Sequence, residues 1–188
     1  MTWKPQSHTL QWPIVIEGAA AITVVEMKAF TVGEHRAALA TVGNDEDEQF
    51  EALLLVATGL EPKVLEQMKR PDYVSISKQL FEYVRKPAGE FMEAAPADPD
   101  DVPLLVPFQG VGRMIERMTL EVPAMKATKV MRKLKTAEER ADFISSACTG
   151  LSTPELMRMS VPDWNQLQER VGDFLNKPAD YFRSVTSK

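Results

Sequence analysis

The chain has 188 residues, 44% of them hydrophobic, a net charge of −5 and a sequence pI near 5.2. That length holds one medium domain or two small ones, and the acidic balance gives no general attraction to nucleic acid or to anionic membranes. A single cysteine, Cys148, excludes an intramolecular disulfide and fits a reduced, cytosolic setting, no apolar run approaches the roughly 20 residues of a membrane span, and the amino terminus lacks the apolar stretch of a signal peptide.

Residues 1–12 read as a polar arm leading into a strand over 13–17. A small-residue turn around Gly18 follows, then a second β-rich run over 22–30, so a hairpin is expected. Thr31 has the place and chemistry of an N-cap for a helix that stops near Gly43. The acidic run 44–49 sits where a helix begins. Asp45 and Glu48 have capping-box spacing, and acids there favour the helix dipole, so the run reads as a helix start rather than a metal loop; the EF-hand pattern is absent. This helix passes through Phe50, Leu53, Leu54 and Ala57 and ends at Gly59, a natural left-handed C′ residue. Pro62 opens a short helix through Leu65 and Met68. Pro71 closes it, and Asp72 is expected to cap a final amphipathic helix that ends before Pro87.

Residues 93–106 read as an acidic, proline-rich linker, stiff and solvated. Beyond it the same order returns: β-rich runs at 104–108 and 114–122, then helices at 124–135, 137–148, 154–160 and 164–176. Moved on by 91 positions, 58–91 lands on 149–182 without a gap. Thr58-Gly59-Leu60 meets Thr149-Gly150-Leu151, Pro71-Asp72-Tyr73 meets Pro162-Asp163-Trp164, and Lys86-Pro87-Ala88 meets Lys177-Pro178-Ala179. The stripe Tyr73, Ile76, Leu80, Tyr83, Val84 meets Trp164, Leu167, Val171, Phe174, Leu175. Amphipathic helices in general look alike, but shared stripes do not explain shared caps and glycines at one offset. The expected fold class is therefore α+β, mostly helical, as a tandem duplication in which each half is a short β-hairpin plus about four helices. The expected domains are 1–92 and 107–188.

No spacing of titratable residues points to catalysis. His8 and His35 lie far apart, and no zinc, phosphate-loop, hydrolase or metalloprotease motif occurs, so neither a metal nor a cofactor is expected. Gly110 and Gly112 read as a turn, and Cys148 as a small buried residue on a packed helix face. Two surface features remain. Lys126, Lys129 and Lys133 share one helix face with Arg132 and Lys135 beside it, and residues 107–188 carry 13 basic against 10 acidic residues. Such a stripe without interleaved aromatics is the pattern of a solvated face, and also of a phosphate-backbone contact. Met114, Met118, Met125 and Met131 crowd one region, where methionine serves either as core filler or as an adaptable client-binding surface.

A Pro-Ile entry, a β-rich run, a polar helix, an acid-capped helix ending in Thr-Gly-Leu, then a Pro, an Asp and an amphipathic helix resemble the small tail assembly chaperones of Mu-type contractile-tailed phages. Residues 13–83 resemble one copy and 107–175 a second; the duplication departs from the family, as does the loss of an Arg-rich stretch at the end of the β-run. The resemblance implies a non-enzymatic factor in the host bacterial cytoplasm. Its expected partners are the tape measure protein, held soluble during assembly, and the tail tube protein. The alternatives are a nucleic-acid-binding or regulatory adaptor using the basic helix 124–135, and a structural tail subunit.

Overall fold

The computed structural model describes residues 3–94 and 96–183. The first two residues of the expected arm, Ala95 of the expected linker and 184–188 of the expected second domain lie outside the described residues. Among the described residues the first half runs β1 (His8–Ile14), β2 (Ile22–Val25), α1 (Val32–Ala40), α2 (Glu46–Thr58), α3 (Pro62–Leu65) and α4 (Arg70–Arg85), then a 3-10 turn at Ala88–Phe91. The second half runs β3 (Asp101–Gln109), β4 (Met114–Thr119), α5 (Met125–Met131), α6 (Ala137–Thr149), α7 (Thr153–Leu156), α8 (Val161–Asn176) and α9 (Ala179–Arg183). The fold is a tandem duplication, each half an antiparallel hairpin followed by helices. Helices α6, α7 and α8 begin and end 91 positions after α2, α3 and α4, while the inner strand partners move by 94 and 93.

Local chemistry explains the element ends. Thr31 and Thr136 each form a full capping box, with Glu34 and Glu139 reaching back to the cap N–H. Asp45 accepts the Asp47 and Glu48 amides, both at 3.0 Å. Gly59 and Gly150 end α2 and α6 at φ +67° and +69°, a conformation that costs a side-chain-bearing residue and spares glycine.

Several expectations are corrected. The first strand is His8–Ile14, not 13–17, because Leu10 and Ile14 provide the buried positions and the arm pairs with β2. Pro13 is tolerated inside it because the ladder register shifts between Thr9 and Ile14. Strand β2 stops at Val25, although Met27 and Phe30 beyond it are buried. Helix α5 is shorter than 124–135, and α7 and α8 divide at Leu156 and Val161 rather than at 160 and 164. Pro71 and Pro162 do not separate helices. They occupy the first turns of α4 and α8, where the missing N–H has no partner to lose. Asp72 is therefore not a cap; Lys69 holds that place.

The chain forms two compact units, one of Met1–Lys86 with Met157–Pro162, the other of Pro87–Leu156 with Asp163–Lys188. In the first unit, Val32 donates its N–H to Met159 O and Gly33 its N–H to Met157 O, both at 2.9 Å, which occupies two amides that the start of α1 leaves open. Its core gathers Leu10, Ile14, Val25, Phe30, Leu54, Ile76, Leu80 and Tyr83 around α4. In the second unit Leu104, Phe108, Ile115, Met118, Ile144, Leu156, Leu167 and Val171 are buried. Strand β3 begins at Asp101, inside the stretch 93–106. Arg170 donates to both Asp100 carboxylate oxygens at 2.6 and 3.0 Å and Arg117 grips Asp101, so these two acids have guanidinium partners while staying partly in water.

Candidate functional site

The repeated Pro-Asp pair owes its recurrence to an inward bond. Where β1 slips register, the Gln11 and Trp12 N–H groups donate to Asp72 at 3.0 and 3.1 Å, and His8 Nε2 lies 3.0 Å from the same carboxylate. In the second repeat the register slips between Pro103 and Phe108, and Leu105 and Val106 donate to Asp163 at 2.7 and 3.1 Å. Both aspartates are buried. Burial alone would raise the Asp72 carboxyl, but the Gln11, His8 and Trp12 contacts outweigh it and hold its pKa below the ordinary value. These carboxylates are committed to holding strand to helix, and are structural rather than reactive.

Other side chains with potential chemistry are packed or bonded. His35 stacks on Phe30. Cys148 is buried at the position matching Ala57, and desolvation pushes its thiol up to about 11, away from the thiolate that nucleophilic chemistry needs; its neighbour Ala147 is exposed, so the packed face is narrower than expected. Among the described residues no group of three or more His, Cys, Asp and Glu is placed to hold a metal. Glu155 accepts the Val111 N–H at 3.0 Å and both the hydroxyl and the N–H of Ser152, which lower its pKa to about 2. It pins the hairpin turn, and Gly110 is needed there because an added Cβ would lie 2.9 Å from Glu155 Oε1 and from Ile115 Cγ1.

The methionine set divides. Met118 is 2% exposed and fills the core position that Val25 fills in the first repeat. Met131 is half-buried, whereas Met114 and Met125 are 54% and 64% exposed. Met114 and Met118 line, with Arg113, Arg117 and Leu151, a groove of about 380 Å³ beside β4. Helix α5 buries none of its residues, and Lys126, Lys129, Arg132 and Lys133 are all exposed.

One surface escaped the sequence reading. On the first repeat, α2 and α4 form the walls of a groove of about 420 Å³ lined by Asp47, Phe50, Glu51, Arg70, Tyr73, Val74 and Ser77. Val74 is 52% exposed, and Phe81, one turn past Ser77 on the same face, is 47% exposed. The legible signal was a mismatch between repeats: Phe50, Val74 and Phe81 correspond to Ala141, Asn165 and Gly172.

No helix among the described residues is long and apolar enough to cross a membrane. No curated protein and no solved structure matches the chain. A family model described as phage tail assembly chaperone proteins, E, or 41 or 14, matches twice, over residues 7–85 and 101–176. The two matches begin and end with the two hairpin-plus-helix repeats and together span most of the chain. With fold, repeat and family model agreeing over both halves, the chain belongs to the phage tail assembly chaperone family, in two tandem copies.

Proposed function

We propose that this chaperone acts without catalysis, by binding the tape measure protein and keeping it soluble in the host bacterial cytoplasm while the tail tube protein assembles around it. The observation that carries this reading is the family match over both repeats. The buried aspartates and the raised Cys148 thiol are consistent with binding rather than turnover. Of the methionines, Met114 and Met125 are available to a client and Met118 is not. Two copies in one chain can hold one client at two points, and the second contact gains from high effective concentration. Co-expression with the long helical tail protein encoded with it tests the reading. The client should move into the soluble fraction and co-purify with the full chain; a client that stays insoluble and unbound refutes it.

The exposed row Lys126, Lys129, Arg132 and Lys133 favours one second reading, contact with a nucleic-acid backbone. Duplex binding that falls steeply with salt, and is lost when Lys126 and Lys129 become Glu, would support that reading; salt-independent or absent binding removes it.

A further inference from the structure

The duplication supplies an internal control. Two copies of one backbone carry the α2–α4 pair, so the fold's own demands are met twice. In the second repeat the positions on this outer face are Ala141, Asn165 and Gly172, which shows that the backbone needs no large apolar residue there. The first repeat nevertheless places Phe50, Val74 and Phe81 at them, with Val74 and Phe81 about half exposed. Holding such side chains against water forgoes the stabilisation of burial, so contiguous exposed apolar positions mark interaction surfaces. Val74, Ser77 and Phe81 recur at three and four positions along α4, and Phe50 faces them from α2 across the groove, with Tyr73 at its side.

Charge narrows the occupant. Asp47 and Glu51 line the α2 wall, and Glu46 and Glu48 extend the acidic turn. The cation of the lining, Arg70, lies over the Tyr73 ring at 5.1 Å, and Arg85 lies over Phe81 at 4.2 Å. Both guanidinium groups keep their charge, but they lie on the α4 side, so the α2 wall, with Asp47 and Glu51 in the lining, is the acidic one. A trough between two helices that carries Phe50, Tyr73 and Val74 among polar residues and is acidic along one wall matches an amphipathic helix that lays apolar anchors at i, i+3, i+4 and i+7 into it and carries Lys or Arg along its flank.

We infer that the α2–α4 groove of the first repeat is a docking site for an amphipathic helix with a basic flank. This deepens the proposed function and rests on it for the identity of the client; the groove's own chemistry stands apart from it. The site belongs to one repeat only, so the two copies have divided their roles, the first repeat receiving the helix and the second offering a different surface.

The test uses the full chain and a fluorescein-labelled 21-residue designed peptide with Leu at i, i+3, i+4 and i+7 and Lys on the flanks, beside a twin carrying Glu in place of Lys. The variant Phe50→Ala with Val74→Asn introduces residues that the second repeat already carries at those positions, and far-ultraviolet circular dichroism and the melting temperature report whether it folds. Fluorescence anisotropy should show the Lys peptide binding wild type at least tenfold more tightly than the Glu peptide, and at least tenfold more tightly than the folded variant binds it. Glu51→Lys should weaken the Lys peptide and strengthen the Glu peptide, an inversion that general destabilisation does not produce. Equal binding of the two peptides, or unchanged binding by the variant, overturns the inference. So does sedimentation showing a dimer of this chain that the variant dissolves, since the occupant is then a second copy. Co-expression separates the two proposals: if the variant solubilises the tape measure protein as well as wild type does, the groove inference falls and the chaperone reading stands. If wild type fails to solubilise it, the chaperone reading falls and the peptide assay still decides the groove.

Discussion

Replacing Asp163 by Ala should be among the most damaging single changes in the second repeat. Its carboxylate accepts the Leu105 N–H at 2.7 Å and the Val106 N–H at 3.1 Å, at a place where β3 has lost its ladder register and offers them no strand partner. Asp163 is 1% exposed and Leu105 is 7% exposed, so water does not readily replace the lost acceptor at Leu105. An unsatisfied buried donor costs about 1–3 kcal/mol, and a bond to a charged acceptor contributes about 1.5–3 kcal/mol. Counting the two amides and not the bonds twice gives a loss of about 3–5 kcal/mol for Asp163→Ala. Asp72→Ala should cost less, about 2–3 kcal/mol, because Gln11 and Trp12 are exposed and their amides can turn to water. Asp163→Asn keeps one acceptor oxygen and should fall between wild type and Ala. Because the chain has two compact units, a single unfolding midpoint is not a safe readout. Chemical denaturation should be paired with amide hydrogen exchange, in which Leu105 and Val106 lose protection in Asp163→Ala while the first repeat keeps its own. A loss under about 0.5 kcal/mol with the Leu105 amide still protected would refute the clamp.

Tyr83 donates its hydroxyl to Phe30 O at 2.7 Å and accepts the Phe30 N–H at 3.0 Å, whereas the second repeat has Phe174 and Pro123 at these positions, neither hydroxyl nor N–H. Tyr83→Phe should therefore cost about 1–3 kcal/mol by denaturation, since it leaves the buried Phe30 N–H without its acceptor. Leu80→Ala and Leu167→Ala remove side chains that are 0% exposed and should each cost about 2–5 kcal/mol, measured by chemical denaturation; a loss under about 0.5 kcal/mol would place them outside the core. Glu155, with its folded pKa at about 2 against an ordinary 4.5, contributes stability that is complete above pH 4.5 and is lost as pH falls toward 2. Melting temperature followed across that window should fall more steeply for wild type than for Glu155→Gln.

Residue order alone reveals the features that short-range chemistry controls. The Thr31 and Thr136 caps, the glycine stops at 59 and 150, the hairpins and the doubled order of elements all depend on residues within a few positions of one another, so spacing alone reveals them. The family resemblance was legible for the same reason, being carried by punctuation that both copies retain. Tertiary structure decided everything that required knowing a neighbour distant in the chain. Asp72 looks like a cap from its position after Pro71, and only the slipped register of β1 makes it a strand clamp across about sixty residues of sequence. Met114 and Met118 are four residues apart, a spacing that a regular strand keeps on one face, yet one is exposed and the other is core: the pairing slips between them, so the buried positions are Ile115 and Met118 and the simple alternation fails. Phe50, Val74 and Phe81 read as ordinary helix residues until α2 and α4 are set side by side, where Phe50 is partly buried against the core and Val74 and Phe81 are left about half exposed. Periodicity determines which residues share a face of a helix; what covers that face is set by packing, and packing is a property of the whole chain.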